Sequence, residues 1–198
     1  MRIEPFECRL TLPAWVWEEM AALPDRLETR EERVAAVIRF ARLNTERGTG
    51  GPFAAGVFER DSGQVLMLAV NRVVPLACSS LHAEIMALSL AQARLGRFDL
   101  GAQGLPVFEL VVNWMPCAMC FGAVLWSGVR SLVVAGSGPE MAAMTGFDEG
   151  PLPPDWQDQL ARRGIAFHGD VAREAALDAF RAFVASGAAV YNGRQGRL

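Results

Sequence analysis

The hydrophobic pattern of the N-terminal part predicts two helices followed by a hairpin. Apolar positions recur at helical spacing over residues 13–47, and Pro24 divides this stretch into two helices. Two short apolar runs, at residues 53–58 and 65–70, follow a glycine-rich segment and are joined through an Asp-Ser-Gly turn. Runs of this length around such a turn predict a β-hairpin.

The middle of the chain alternates helix and strand. Ser79 or Ser80 is a suitable cap for a helix that begins near Leu81 and ends at Gly96. The nearly continuous apolar run at residues 107–112 predicts a strand that is buried on both faces. The later elements are predicted as strands at 131–135 and 165–167, helices near Met141 and Trp156, and a closing helix at 171–184.

Length and charge limit which classes of protein the chain can belong to. At 198 residues with 52% hydrophobic residues, the chain is expected to form one domain with short additional segments. A net charge of −3, from 19 basic and 22 acidic residues, has the wrong sign for a dedicated nucleic-acid binder. No apolar run reaches the length of a membrane helix. We expect no membrane partner.

The cysteine usage and the first residues favour the cytoplasm. The chain has four cysteines, which are few for its length. Reduced thiols in a cytosolic compartment are therefore the better interpretation. Glu4 and Glu7 stand where a signal peptide would need a basic flank and an apolar stretch, so secretion is disfavoured.

Two short motifs carry candidate metal chemistry: His82-Ala-Glu84 and Pro116-Cys117-Ala-Met-Cys120. Pro116 is a suitable first residue of a helix, on which Cys117 and Cys120 would share one face. The positive end of that helix favours the thiolate form, which binds metal. His82 can supply a third ligand. Three protein ligands leave one tetrahedral position of zinc for water, which is typical of a catalytic site.

Glu84 is the candidate proton carrier. Zinc lowers the pKa of bound water to about 7, which provides a nucleophile at neutral pH. Because Glu84 lies two residues from His82, its side chain points elsewhere than the ligand and is placed to meet a substrate. We expect it to take a proton from water and to protonate a ring nitrogen and the departing amine.

Other interpretations of the cysteine pair remain open. A lone C-x-x-C is also typical of a redox pair, although that role would leave His82 and Glu84 without a function. A closed structural zinc site needs a fourth ligand, for which Cys8, Cys78 and His168 are the additional candidates. Cys78, four residues before His82, is the strongest of them. His168 is expected in a loop, without a ligand role.

At these two motifs the sequence resembles the zinc-dependent cytidine-deaminase-like superfamily, whose signature is H-x-E with P-C-x-x-C. The resemblance extends over about residues 51–135. It implies a three-layer α/β/α fold with a central mixed sheet of about five strands. It also implies one Zn²⁺ per subunit, held by His82, Cys117 and Cys120, with Glu84 as the proton shuttle.

Further stretches are similar to bacterial guanine deaminases: 50–53, 120–126, 146–149 and 191–193. By that likeness Asn71 would hydrogen-bond a base, Phe53 would contact its face, and Glu149 would accept from its amino and ring N–H edge. The resemblance also implies a homodimer in which the Tyr191 region covers the partner's pocket. Residues 1–30 look like an added helical extension to a single deaminase domain at 31–198, and Met115 stands where these enzymes commonly carry glutamate.

The function implied is hydrolytic deamination of a free base, guanine to xanthine and ammonia, or of a related heterocycle such as ammeline. A tRNA adenosine deaminase and a cytosine or cytidine deaminase are the alternative enzymes. An RNA substrate would need a basic binding surface on the protein, which the net charge of −3 does not indicate. A structural zinc-binding interaction domain is the non-enzyme alternative, and a purely structural site would not require Glu84.

Overall fold

The structure is a computed structural model that describes residue 7 and residues 9–194. The helices are α1 Ala14–Ala21, α2 Arg30–Glu46, α3 Ala83–Leu95, α4 Ala118–Ser127, α5 Glu140–Thr145, α6 Trp156–Arg162 and α7 Arg173–Ala185. The strands are β1 Ala54–Glu59, β2 Val65–Val70, β3 Phe108–Val112, β4 Ser131–Val134 and β5 Ala166–His168. Among these residues, no helix is both long and apolar enough to cross a bilayer.

The five strands form one mixed sheet in the order β2-β1-β3-β4-β5. Strand β1 pairs antiparallel with β2, as the predicted hairpin requires, and antiparallel with β3. The pairs β3–β4 and β4–β5 are parallel. Helices cover both faces, so the predicted three-layer α/β/α fold around a mixed five-strand sheet is confirmed.

Strand β3 shows how the sheet separates two cores. All five of its residues are buried, as its apolar run predicts. Side chains alternate across a strand, so Val111 joins the core under α2 and α7, whereas Leu110 and Val112 join the core under α3 and α4. Both layers of helices are therefore held by the same central strand.

Two helix starts differ from the sequence prediction. The backbone of Leu81 is bonded to Cys78 and to Arg72, which keeps Leu81 in a turn, so α3 begins only at Ala83 with His82 as its N-cap. Neither Ser79 nor Ser80 caps it.

Helix α4 begins at Ala118 with Cys117 as its N-cap, two residues after the expected Pro116. The sulfur of Cys117 accepts the backbone N–H of Cys120 and so takes the capping position itself. His168, expected in a loop, is instead the last residue of β5, where it pairs with Val133.

Helix α1 packs on the same core as the rest of the chain. Trp15 and Val16 are buried in the hydrophobic cluster that also contains residues of α2 and α7. The division into an extension at 1–30 and a domain at 31–198 stays a prediction, and the extension's first six residues and Cys8 lie outside the described residues.

Candidate active site

Two helix N-termini bring the predicted ligands together. His82 is the N-cap of α3, Cys117 is the N-cap of α4, and Cys120 lies in the first turn of α4. Their ligand atoms all lie within 4.8 Å of one another. Among the described residues this is the group of histidine, cysteine and acidic side chains that could hold a metal ion, and it includes neither Cys78 nor His168.

The donor set fits a tetrahedral zinc ion. Zn–S and Zn–N bonds of about 2.3 and 2.0 Å at a tetrahedral angle place sulfur and nitrogen about 3.5 Å apart. Cys117 Sγ and His82 Nδ1 lie 3.5 Å apart. One imidazole and two thiols are ligands that zinc prefers. The three groups therefore form a candidate zinc site with three protein ligands.

The pKa values of the two thiols are shifted in opposite directions. The hydrogen bond with Cys120, together with the one with His82, lowers the pKa of Cys117 to about 4. The hydrogen bond with Cys117 and burial raise the pKa of Cys120. Burial opposes the charged form of His82, but the hydrogen bond with Cys117 and the charge of Glu84 raise its pKa to about 9. A cation in this cluster would displace these protons.

Glu84 lies beside the cluster in the first turn of α3. Its side chain is only 8% exposed, yet it contributes to the wall of the adjacent cleft. Burial raises the pKa of Glu84, and the negative charge of Cys117 raises it further, against the opposing charge of His82. A carboxyl group whose pKa is raised from its ordinary acidic value is better matched to taking up and releasing a proton near neutral pH.

A cleft that is open at its mouth adjoins this cluster. Its wall combines aromatic side chains with a few polar groups, which is typical of a small-molecule site. The cleft contains every substrate residue expected from the sequence, namely Phe53, Asn71 and Glu149. Its other lining residues are Val73, Ser79, His82, Glu84, Val112, Asn113, Trp114, Met115, Phe147, Asp148, Tyr191, Asn192 and Gly193.

The side chain of Asn71 is oriented by its own backbone neighbourhood. Asn71 follows the end of β2 and is 1% exposed. Its Oδ1 accepts the N–H of Val73 at 3.2 Å. Since the oxygen is engaged locally, the amide nitrogen is the group left to donate into the cleft. Asn71 is therefore suited to a ligand that presents a hydrogen-bond acceptor.

Phe53 is held by a residue that the sequence analysis missed. Asn113, at the end of β3, accepts the N–H of Ala54 at 3.0 Å and donates to the carbonyl of Pro52 at 2.9 Å. These two hydrogen bonds fix the backbone on both sides of Phe53. No local pattern indicates this role, because the partners of Asn113 are 59 and 61 residues away in the chain.

Glu149 lies between α5 and α6, in a segment attached to the helix that carries the cysteines. Its carbonyl accepts the N–H of Ala118, the first residue of α4, at 3.1 Å. Burial raises the pKa of Glu149 to about 8, and the charges of Cys117 and Glu84 contribute. Its carboxyl group thus lies within electrostatic reach of the ligand cluster.

The C-terminal segment lies over the cleft of its own chain. The Tyr191 ring contacts the Phe147 ring at a centroid distance of 5.0 Å. Asn192 accepts the N–H of Asp148 and donates to the carbonyl of Gly146, each at 2.9 Å. The sequence likeness placed this region over a partner's pocket; here it packs on the segment that contains Glu149.

Two neighbouring helix N-termini that present an imidazole and two thiols, with a glutamate beside them, are typical of the zinc-dependent deaminases. Residues 28–136 match the family described as cytidine and deoxycytidylate deaminase zinc-binding region. The match spans more than half of the 198 residues. The chain belongs to this family.

Two solved structures and one further relative indicate which members of the family this chain is similar to. A solved structure of guanine deaminase from Nitrosomonas europaea is 47% identical with a TM-score of 0.84, covering 89% of this chain and 96% of that chain. A structure in complex with 2,6-diaminopurine is 46% identical with a TM-score of 0.86, covering 95% and 98%. Guanine deaminase of Bacillus subtilis (strain 168) is 28% identical over 121 residues, 61% of this chain and 72% of that protein.

Proposed function

We propose that this chain is a zinc-dependent hydrolytic deaminase of a free base, converting guanine and water to xanthine and ammonia. The observation that carries the proposal is the composition of one cleft. Glu84 and His82 line the cleft, with the other two candidate ligands beside His82, and Asn71 and Glu149 offer a donor and an acceptor to a flat heterocycle. The likeness to guanine deaminases over most of the chain supports guanine as the base.

In this proposal His82, Cys117 and Cys120 hold the zinc ion, which when bound supplies the Lewis acidity that activates water. Glu84 takes a proton from the attacking water and delivers a proton to a ring nitrogen of the base. It then takes the second proton of the former water from the hydroxyl group now on the ring carbon and passes it to the amino group, so that the carbonyl forms and the C–N bond breaks to release ammonia. The raised pKa of Glu84 supports both steps, because it makes the carboxylate a stronger base for the proton of water than an ordinary exposed glutamate.

The same cleft supports recognition of the guanine edge. The positive charge of a bound cation opposes the raised pKa of Glu149 and favours its carboxylate form. That carboxylate accepts from the amino and ring N–H groups, and the side-chain amide of Asn71 donates to an acceptor on the base. Phe53, fixed by Asn113, contacts the face of the ring. A buried polar edge left unpaired costs about 1–3 kcal/mol, so a base with the opposite donor and acceptor pattern is disfavoured.

A free base is favoured over a nucleotide or an RNA. No arginine or lysine is found among the described residues that line the cleft, whereas three of them are acidic: Glu84, Asp148 and Glu149. Phosphate groups are usually bound by cationic side chains or helix N-termini. We therefore propose no nucleic-acid partner.

We also propose that the protein is a cytoplasmic homodimer. The three cysteines in the described part of the chain are free thiols, which supports a reducing compartment. The face formed by α3 and α4 has a groove lined by Ile85, Leu88 and Ala123, beside which Trp126 is 88% exposed. Apolar exposure of this kind supports a protein partner there, and in our proposal it is a second copy of the chain.

The decisive experiment measures ammonia released by the purified, zinc-loaded protein. Its arms are guanine, ammeline, adenine, cytosine, their nucleosides where these exist, and an adenosine-containing anticodon stem-loop. Guanine is expected to be the strong responder. A strong response confined to cytosine, to a nucleoside or to the stem-loop would replace the proposed substrate, and no ammonia from any arm would remove the enzymatic proposal.

A further inference from the structure

A chain of hydrogen bonds links helix α1 to the cleft. The indole N–H of Trp15 donates to Thr49 Oγ1 at 3.1 Å, and the Thr49 hydroxyl donates to Asn44 Oδ1 at 2.8 Å. Asn44 Nδ2 donates to the carbonyls of Gly51 at 2.8 Å and Asn71 at 3.1 Å. The chain of bonds thus ends on the backbone of the residue that is proposed to hydrogen-bond the base.

The donors and acceptors in this chain of bonds restrict how its members can be arranged. An indole N–H only donates, so the Thr49 oxygen accepts from Trp15 and its single hydrogen is left for Asn44, whose Oδ1 lies at 2.8 Å and whose backbone carbonyl oxygen lies at 3.3 Å. The bond to Oδ1 fixes which end of the Asn44 amide is the oxygen. The two N–H groups of the amide then match the two carbonyls, of Gly51 and Asn71. Trp15 therefore contributes to the orientation of Asn44 by directing the Thr49 hydroxyl towards it.

The two ends of this chain of bonds are shielded from water, while Thr49 between them is partly exposed. Asn44 is 0% exposed and Trp15 is 6% exposed. A Cβ atom at Gly50 would lie 2.1 Å from the Asn71 oxygen and 2.5 Å from Asn44 Nδ2, so the loop approaches this contact as closely as glycine allows. A missing donor would leave the Asn71 carbonyl buried and without this partner, which is unfavourable.

The backbone of Asn71 is thereby held at both ends. Its N–H donates to the Phe53 carbonyl at 3.0 Å, and its carbonyl accepts from Asn44. Its side-chain oxygen accepts from Val73. With these three groups engaged, the direction of the side-chain NH₂ group of Asn71 depends on the bonds that fix its backbone.

We propose that Trp15 and Asn44 are positioning residues that aim the amide N–H of Asn71 at the substrate. This rests on the proposed function, in which Asn71 hydrogen-bonds the base. Neither Trp15 nor Asn44 lines the cleft, so both act through Asn71. The inference gives the N-terminal helix α1 a part in substrate binding.

The test removes the indole N–H donor and keeps an aromatic side chain, although the phenyl ring is smaller than the indole. Trp15→Phe deletes the indole N–H, and Trp17→Phe, on the same helix at a position 46% exposed, is the matched control. A bond made equally to substrate and transition state affects KM, so Trp15→Phe is expected to raise KM for guanine about fivefold. The kcat and the zinc content are expected to match those of Trp17→Phe. Equal KM values for the two variants would overturn the inference.

A double-variant cycle separates positioning from general damage. If Trp15 acts through Asn71, then Trp15→Phe should raise KM no further in a chain that already carries Asn71→Ala. A further rise by the same factor in that background would overturn the inference, because it would show that Trp15 affects binding by another route.

Failure of the proposed function is recognised separately. If the unsubstituted protein releases no ammonia from guanine, the proposed function has failed. The rate of hydrogen exchange at the Val73 amide then tests the positioning, because this amide bonds to Asn71 Oδ1. Faster exchange in Trp15→Phe than in Trp17→Phe would support the inference, and equal exchange would overturn it.

Discussion

At the scale of single residues, Glu149 carries the proposed choice of base. Replacement Glu149→Gln exchanges one acceptor for a donor that would face the N–H groups of guanine. A hydrogen bond to a charged group contributes about 1.5–3 kcal/mol, so kcat/KM for guanine is expected to fall about 10- to 100-fold. Steady-state ammonia release measures this, with Glu174→Gln on the exposed face of α7 as the control.

The zinc content should be unchanged in Glu149→Gln, because Glu149 is outside the ligand cluster. A variant with full guanine turnover and an unaltered substrate profile would remove Glu149 from recognition.

The residues of the site differ in how far sequence could predict them. Cys117 and Cys120 are three positions apart at one helix start, and Glu84 is two positions from His82, so local spacing indicates their chemistry. Asn44 and Asn113 could not be found in this way. Their partners are brought to them by the packing of the sheet, up to 61 residues away along the chain.

At the scale of elements, helix α2 has a complete capping box at its N-terminus. Thr29 Oγ1 accepts the N–H of Glu32 at 3.2 Å, and the Glu32 carboxylate accepts the N–H of Thr29 at 2.9 Å. Thr29→Ala leaves the helix N–H without its cap, which costs about 1 kcal/mol. We expect a lower midpoint in denaturant unfolding.

The control for the cap is Thr45→Ala near the other end of α2. Thr45→Ala removes only one weak hydrogen bond, to the carbonyl of Ala41. Alanine is also the stronger helix former, so we expect this variant to be nearly as stable as the unsubstituted chain. Equal midpoints for the two variants would contradict the importance of the cap.

The hydrophobic pattern predicted the helices and strands well, but it predicted the residues at which helices begin less well. Hairpin strands and buried strands have apolar runs that identify them without reference to the rest of the fold. The start of α3 depends instead on bonds from Leu81 to Arg72 and Cys78, which only the folded loop brings together. The start of α4 depends on a sulfur cap, whereas the usual capping residues have oxygen side chains.

At the scale of the whole molecule, one buried ion pair joins α2 to the central strand. Arg33 is 3% exposed and Glu109 on β3 is 0% exposed, with 2.5 Å between their charged atoms. Arg33 also donates to the carbonyls of Leu27, Glu28 and Arg60. Replacement Arg33→Met leaves a buried carboxylate without its partner and is expected to cost about 3–5 kcal/mol of unfolding free energy.

The paired variant tests the reason for that loss. Arg33→Met with Glu109→Leu removes both charges, and chemical denaturation should find it more stable than Arg33→Met alone. A double variant as unstable as the single one, or less stable, would contradict the claim that an uncompensated charge causes the loss.

Glu84→Gln tests the central claim most directly. The amide keeps the size of the side chain but cannot take up a proton, and it is not among the zinc ligands. Metal content and ammonia release from guanine are measured on the same samples. We expect about one zinc per chain, as in the unsubstituted protein, and a loss of kcat of about 10²-fold or more. Unchanged ammonia release by Glu84→Gln would contradict the account.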